Sequence, residues 1–313
     1  AFMQASWDVE EVQAEGIQYL ASFVEDKTAL PYLLTCTEVI TLAMKVHTDS
    51  LDLQVDGCTL LLEILSQALK QGVTMALDES VASCLLHTVR EHSENEEFLS
   101  MLCTVLMMVS ASEVAAENLR KVGIIPDLLS ILRRFLHNDN ICFSCCAVLW
   151  SLAVSEDNTD QAELASAVPV TSAVLQEHLQ NGVIAESACS ALWALALQGC
   201  LADSDYEPTA ALVLDALRMN PERKRLVENG CLALATLVRL SETAALAILL
   251  DSKGSGTELI KQEYHLHSHE PGVAEALCLL MNEMVQYDEV MLNMRSQKME
   301  KLLSEIKFQF PFS

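Results

Sequence analysis

Glycine and proline are scarce in this chain. Its 313 residues include 10 Gly and 7 Pro, and its one Gly/Ser-rich stretch, residues 253–256, is too short for a domain linker. No segment keeps the alternation of apolar and polar residues that is typical of strands. The composition therefore predicts helices joined by short loops, with a final helix over residues 294–308, and argues against domains joined by flexible linkers.

Positive charge is scarce as well. The chain has 19 Lys and Arg against 44 Asp and Glu, a formal net charge of −25 and a pI near 4.5. A field of that sign repels nucleic-acid phosphates and anionic lipid, so we predict neither nucleic acid nor a membrane surface as a partner. The basic clusters, Arg133-Arg134 and residues 223–225, are short. A protein partner with a basic segment is favoured.

The sequence has no long apolar run. Its most apolar stretch, residues 188–202, contains Gln198 and Gly199 and is shorter than the roughly 20 residues that a membrane-spanning helix needs. The chain starts at Ala1 inside an amphipathic pattern, without the cationic, apolar and small-residue order of a secretory signal. We expect a cytoplasmic protein, represented here by a fragment of a longer chain.

Motifs of catalytic and nucleotide-binding sites are missing. Neither glycine-rich phosphate-binding pattern occurs, Gly-x-x-x-x-Gly-Lys-Ser/Thr or Gly-x-Gly-x-x-Gly. The His-Arg-Asp and Asp-Phe-Gly motifs of protein kinases, the Gly-x-Ser-x-Gly nucleophile elbow and the zincin helix are also missing. The sequence predicts a protein that is not an enzyme and has no cofactor.

A motif of cysteine and aliphatic residues recurs six times, at intervals of 42 to 47 residues. Each cysteine is followed by Leu or Met after three residues and by an aliphatic residue after six. In the clearest copy, Gly123 marks a helix end and Pro126 the start of the next helix. Armadillo and HEAT repeats have this period, and each repeat packs on its neighbours. The recurring cysteines, called anchor residues below, are Cys58, Cys103, Cys146, Cys189, Cys231 and Cys278.

The period predicts an all-α fold. It favours a right-handed armadillo/HEAT-like solenoid of about six to seven repeats, forming a single domain over residues 1–313. Stepping back one period from the first anchor reaches Gly16, beside an apolar run that suits a degenerate first repeat.

The chain has 11 cysteines, and six of them occupy the anchor position. A buried thiol there acts as a small hydrophobic group, so we predict reduced core thiols. The spacing of Cys142, Cys145 and Cys146 invites a zinc site. A structural zinc needs four ligands, however, and no second Cys or His pair stands nearby at metal-binding spacing.

A second candidate metal site is the alternating set His265, His267 and His269, with Glu270, in the predicted loop before the last anchor. Alternation in a loop does not fix three imidazoles on one ion. We therefore predict solvated histidines and no metal. A metal protein or an enzyme that uses this loop or the cysteine cluster is the less favoured alternative.

Candidate binding residues follow from their position relative to each anchor. In an armadillo stack, the side chains that flank the core line the concave face. Positions one, five and eight residues after the anchor flank it, and the predicted binding residues are taken from positions five and eight. Trp150 and Trp193 lie four residues after an anchor and are assigned to the core seam. The repeated Asn of nuclear-import adaptors is missing. The predicted protein-binding residues are Met108, Ser151, Val154, Ala194, Leu197, Thr236, Arg239 and Glu283.

Three segments also resemble a known family. They are LDLQVDGCTLLLEILSQAL at 51–69, GSGTELIKQEYHLH at 254–267 and LLSEIK at 302–307. In the same order, they resemble the C-terminal armadillo-like region of the serine/threonine kinase-like domain-containing protein family of vertebrates. In that family a kinase-like domain with a degenerate motif set precedes the repeats. The resemblance implies an accessory region of a pseudokinase, and no ATP-binding or catalytic residue is carried over.

Besides the less favoured metal protein or enzyme, two non-catalytic functions stay open from the sequence. The leading hypothesis is a non-catalytic scaffold that binds a protein segment, with a basic segment favoured, along the concave face. The alternative is an intramolecular regulatory module on which the family's kinase-like domain docks.

Overall fold

The structure is a computed structural model that describes residues 2–73, 78–154, 161–251 and 253–310. Helices occupy most of these ranges and no strand occurs within them, which confirms the predicted all-helical class. In the same ranges, none of the helices has both the length and the apolar character needed to cross a bilayer.

The chain divides into two compact units, residues 1–157 and 158–313. The helices of the first unit are α1 (Phe2–Ala5), α2 (Glu10–Ala21), α3 (Leu30–Thr35), α4 (Thr37–Val46), α5 (Leu51–Lys70), α6 (Glu79–Glu91), α7 (Glu96–Ser110), α8 (Glu113–Lys121), α9 (Ile125–Arg134) and α10 (Asp139–Val154). The helices of the second unit are α11 (Gln161–Ala165), α12 (Ala167–Glu177), α13 (Gly182–Leu197), α14 (Tyr206–Met219), α15 (Lys224–Leu240), α16 (Glu242–Leu249), α17 (Gly256–Leu266), α18 (Pro271–Met284), α19 (Asp288–Ser296) and α20 (Met299–Gln309).

Helices that contain an anchor residue, the anchor helices, pack in series within each unit. In the first unit α5 packs on α7 and α7 on α10, and α2, which contains no anchor, packs on α5, while α4, α6 and α8 form a second row. In the second unit α13 packs on α15 and α15 on α18, beside the row α12, α14 and α16. Equivalent helices of successive repeats therefore contact each other, as the sequence period predicts.

Local sequence signals set the helix ends. Gly123 has φ +78°, a left-handed conformation that suits glycine, and it separates α8 from α9, where Pro126 lies in the first turn. The side chain of Asn95 caps α7 by accepting a hydrogen bond from the Phe98 amide at 3.1 Å. The final predicted helix is wrong in one respect, because Lys298 at φ +59° breaks it into α19 and α20.

The anchor residues form a buried row in each unit. Five of the six are at most 1% exposed, whereas Cys278 is half-buried. Beside the anchors, Sγ of Cys145 lies 3.5 Å from Sγ of Cys103, so the thiols of adjacent anchor helices touch. All 11 cysteines are free thiols, in agreement with the sequence prediction. Burial raises the pKa of the Cys58 and Cys189 thiols from 9.0 to about 12.

This burial predicts which thiols react in the folded chain. Cys36 and Cys278 are partly exposed, and the other nine are buried. Only a thiolate attacks a disulfide reagent, and burial both denies access and raises the pKa. A titration with an aromatic disulfide reagent should therefore detect two fast thiols natively and all 11 in denaturant. Fast native reaction of Cys146 would contradict the assigned core face of α10.

A buried carboxylate interrupts the apolar core of the second unit. Glu263 in α17 is 1% exposed, and neither of its carboxylate oxygens has a hydrogen-bond partner among the described residues. Nε2 of His267 lies 3.9 Å from its Oε2 but is also 2.7 Å from the carbonyl oxygen of Pro221. Burial raises the pKa of Glu263 from 4.5 to about 7.

The raised pKa predicts how Glu263→Gln changes stability with pH. Between about pH 4.5 and 7 the unfolded chain loses the Glu263 proton while the folded chain keeps it, so rising pH lowers the free energy of unfolding. Above pH 7 the penalty is constant, at about 3 kcal/mol. Glu263→Gln should therefore match the wild type near pH 4.5 and be more stable by up to that amount at pH 8. Urea unfolding at both pH values measures the difference, and a pH-independent difference would contradict burial as the cause.

Candidate protein-binding groove

Two adjoining cavities form a groove across the carboxyl-terminal ends of α5, α7 and α10 in the first unit. The first has a volume of about 250 Å³ and the second about 440 Å³, and Ala111 lines both. The lining residues of the first cavity are Leu65, Ala68, Leu69, Val73, Met107, Met108, Val109, Ala111 and Ser112. Those of the second are Ser110, Ala111, Glu113, Ala116, Trp150, Ser151 and Val154. We call this surface the groove.

The groove is apolar because two of its helices carry no charge along most of their length. Neither α7 after Glu97 nor α10 after Asp139 contains an ionisable residue other than cysteine. Large apolar side chains are left in contact with solvent: Leu69 is 70% exposed, Val154 52% and Trp150 41%. A contiguous exposed apolar surface of this kind marks an interaction site more often than isolated apolar residues do.

The amino-terminal end of α10 is hydrogen-bonded to α7. Nδ2 of Asn140 donates to the carbonyl oxygen of Ser100 at 2.9 Å and to Oγ1 of Thr104 at 3.0 Å. Nearby, the guanidinium of Arg134 at the end of α9 pairs with Glu94, which precedes α7. At the carboxyl-terminal ends, in contrast, the hydroxyl of Ser151 bonds within its own helix, to the carbonyl oxygen of Ala147. The carboxyl-terminal ends of these helices therefore form the candidate binding surface.

The electrostatics of the groove favour a cation. The carboxyl-terminal ends of α5, α7 and α10 carry the negative partial charge of the helix dipole. Glu113 lines the groove, although Lys70 at the end of α5 opposes it locally. The first unit as a whole has 8 Lys and Arg against 23 Asp and Glu, a formal net charge of −15.

Three predicted binding residues lie in the groove. Met108 lines the first cavity, and Ser151 and Val154 line the second. In the second unit, Leu197 and Arg239 are exposed and Glu283 is half-buried.

Two predicted binding residues are wrong. Ala194 is 1% exposed and Thr236 is 6% exposed, so neither offers a surface to a ligand. At about 100° per residue, the fifth residue after an anchor lies about 140° from the anchor around the helix axis. That direction is at the edge of the solvent-exposed face of the anchor helix. There a neighbouring helix covers it, as Thr236 of α15 shows by accepting a hydrogen bond at 3.1 Å from Nε1 of Trp193 in α13.

Sequence reasoning also missed Trp150 as a surface residue. The assignment of both tryptophans to the core seam describes Trp193, which is half-buried and bonded to Thr236, but not Trp150. Nε1 of Trp150 has no protein hydrogen-bond partner within the described ranges. The sequence holds one signal of the difference: 43 residues after Trp193 stands a hydroxyl residue, Thr236, whereas 43 residues after Trp150 stands another tryptophan.

The candidate metal sites are occupied by other contacts. Cys142, Cys145 and Cys146 are fully buried in α10, and Sγ of Cys142 donates to the carbonyl oxygen of Leu136 at 3.2 Å. The prediction of a solvated histidine loop is wrong for His267, which is 9% exposed, and His265 lies within α17. No group of three or more His, Cys, Asp or Glu is arranged for a metal in the part of the chain that the structure describes.

The two tryptophans occupy the same repeat position, so they form a matched pair for mutation. Trp193→Ala removes a packed ring and a hydrogen bond, and should lower the free energy of unfolding by about 3 kcal/mol. Trp150→Ala removes a ring that is 41% exposed, and should cost about 1 kcal/mol. Chemical unfolding of both variants measures the difference. Equal losses would place Trp150 in the core.

Comparison with known proteins informs the fold alone. No protein-family model matches the chain. A crystal structure of an engineered protein, determined by a structural genomics consortium, is 14% identical, with a TM-score of 0.58 over 88% of this chain and 71% of that one. At that identity the likeness shows that the two chains share a helical fold, and it carries no information on ligands.

Proposed function

We propose that this chain is a non-catalytic protein-interaction scaffold that binds a basic segment of a partner protein in the groove. The observation that carries the proposal is the pair of adjoining apolar cavities, lined by exposed side chains, in a unit with a net charge of −15. Large apolar side chains of the partner would fill the two cavities, and its Lys or Arg residues would face Glu113 and the helix ends.

The proposed occupant follows from the chemistry of the groove. Met107 and Met108 give the first cavity flexible walls, which accommodate apolar side chains of different shape. Trp150 supplies a flat apolar ring and an indole N–H that can donate a hydrogen bond to a carbonyl oxygen of the partner. A segment with two large apolar anchors, spaced to reach both cavities, and flanking positive charge therefore fits best.

We further propose that the repeats continue through the chain as a right-handed armadillo-like solenoid of six to seven units. The interval of 42 to 47 residues between anchors and the serial packing of anchor helices within each unit support this architecture. In such folds an extended repeat surface serves binding, which agrees with the proposed scaffold function.

The resemblance to the serine/threonine kinase-like domain-containing protein family supports a more specific proposal. In it, the scaffold is the accessory repeat region of a pseudokinase and acts in the cytoplasm. The excess of 44 acidic over 19 basic residues supports a protein partner over nucleic acid or anionic lipid.

Selection of displayed random peptides on the purified chain tests the binding proposal. We expect enrichment of sequences that combine Lys or Arg with Leu, Phe or Trp. A chemically synthesised, fluorescent copy of the most enriched peptide then gives the dissociation constant by anisotropy. Affinity should fall as salt is raised, because part of the attraction is between solvent-exposed charges.

Variants locate the binding surface. Val154→Lys places a positive charge in the groove, where it repels a basic peptide, and should weaken peptide binding at least about tenfold, which is about 1.4 kcal/mol. Leu250→Lys is the matched control, because Leu250 is 72% exposed and lies outside the groove, after α16. Circular dichroism confirms that both variants are folded. Equal affinity for wild type and Val154→Lys, or enrichment of acidic peptides, would refute the proposal.

A further inference from the structure

Aromatic side chains are exposed around a cavity at the start of the first unit. Phe2 is 65% exposed and Tyr19 is 66% exposed, and both line a cavity of about 560 Å³ together with Met3, Leu20 and Val39. The ring of Phe23, 5.0 Å from that of Tyr19, extends the apolar surface. We call this region the amino-terminal surface. Its cavity is in the size range of ligand pockets, roughly 300 to 1,000 Å³.

The amino-terminal surface is strongly acidic. Residues 2–26 contain six Asp and Glu and no Lys or Arg. Glu15 lines the cavity, and Glu11 precedes it by one helical turn on the same face of α2 as Tyr19. Both glutamates are exposed, and neither makes an ion pair with any residue in the described ranges. An occupant of this cavity therefore needs an aromatic or aliphatic group together with positive charge.

The last helix of the chain offers both. Phe308 in α20 is 91% exposed, while Met299, Leu302 and Ile306 bury the opposite face of the helix. Lys301 lies two turns before Phe308 on the same face, and Lys307 is adjacent to it, so these two lysines outnumber Glu305, which lies one turn before Phe308.

The surroundings of α20 are basic for this chain. Residues 295–307 contain four Lys and Arg against two Glu, although acidic residues outnumber basic ones more than twofold overall. Neither Lys301 nor Lys307 has a carboxylate partner within the part of the chain described. We call this region, with Phe308 at its centre, the carboxyl-terminal surface.

We propose that the occupant of the amino-terminal surface is the carboxyl-terminal surface of a second copy of this chain. Phe308 of one copy would enter the cavity beside Phe2 and Tyr19 of the next, and its lysines would face Glu11 and Glu15. Two observations point to this pairing: an exposed aromatic residue meets an aromatic-lined cavity, and free lysines meet free glutamates. Opposite charge selects this pairing. The chain as a whole has a net charge of −25, so most other pairs of surfaces on two copies are both acidic and repel each other.

The geometry of the contact determines the form of assembly. The two surfaces consist of different residues, so the contact is heterologous and each copy keeps one surface free for a further copy. Association therefore does not stop at a dimer unless a ring closes. The ion pairs are exposed, so added salt weakens them.

Sedimentation velocity of the 313-residue chain, from low to high micromolar concentration, tests the proposal. The weight-average sedimentation coefficient should rise with concentration and fall when salt is added. Phe308→Ala should weaken association about tenfold, in line with the loss of a buried aromatic anchor. A constant, monomeric coefficient at every concentration would overturn the proposal, and would leave binding of a different protein as the use of the amino-terminal surface.

Charge reversal separates this contact from general aggregation. Lys301→Glu with Lys307→Glu should weaken association at least about tenfold, as should Glu11→Lys with Glu15→Lys. An equimolar mixture of the two double variants should associate again, because each reversed surface then meets its complement. The control variant Lys45→Glu with Arg133→Glu changes the net charge by the same amount as Lys301→Glu with Lys307→Glu, but at exposed residues outside both surfaces. It should leave association intact. Loss of association in this control, or failure of the mixture to recover it, would refute the pairing.

Discussion

Close approach of neighbouring helices is the constraint on which the rest of the structure depends. The anchor cysteines have small side chains, so neighbouring anchor helices can approach each other closely. Sγ of Cys103 in α7 lies 3.5 Å from Sγ of Cys145 in α10. The residue before two of the anchors is glycine, at Gly57 and Gly230. A Cβ added there would lie 2.8 Å from side-chain atoms of Met44 and of Leu217, so each of these side chains packs directly on the glycine backbone. A larger residue at either position would displace that side chain from its place in the core.

Close packing of neighbouring helices explains why the period of the repeats and the helices could be predicted from the sequence. Several helix ends could be predicted as well. An anchor position that accommodates only a small apolar side chain is occupied by the same residue, cysteine, in each repeat, so the period can be recognised in the sequence. Gly123 and Pro126 set helix ends through local backbone geometry alone, so these ends can be predicted too. The faces of the helices were less predictable. Ala194 and Thr236 are buried and Trp150 is exposed, and for Thr236 the contact is with a residue one repeat away, Trp193. The break at Lys298 carries no glycine or proline to signal it.

The two ends of the anchor helices differ in polarity: polar and charged contacts occur at the amino-terminal ends, and exposed apolar side chains at the carboxyl-terminal ends of α5, α7 and α10. At the amino-terminal ends, polar and charged groups are used between repeats, as in Asn140 with Ser100 and Thr104, or Arg223 with Glu186 at 2.9 Å in the second unit. At the carboxyl-terminal ends of α5, α7 and α10, apolar side chains face solvent beside the negative ends of the helix dipoles, and of these three last turns that of α5 alone holds a basic residue, Lys70. A surplus of 25 negative charges raises the electrostatic energy of the folded chain. A basic ligand would lower that energy, so the proposed binding at the groove would also relieve part of the self-repulsion.

One repeat position shows how packing and binding are separated in this fold. Trp193 and Trp150 both stand four residues after an anchor, yet Nε1 of Trp193 is bonded to Thr236, and its ring is held between α13 and α15. A satisfied indole N–H can be buried at little cost, whereas an unsatisfied one costs about 1 to 3 kcal/mol, so Trp150 is more stable with its N–H in water. A hydroxyl one repeat after Trp193 thus satisfies its indole N–H, whereas the equivalent position after Trp150 is Trp193, and Trp150 stays partly exposed. Thr236→Val should therefore increase the exposure of Trp193, which collisional quenching of its fluorescence in the Trp7→Phe, Trp150→Phe background measures. Unchanged quenching would show that apolar packing alone holds the ring.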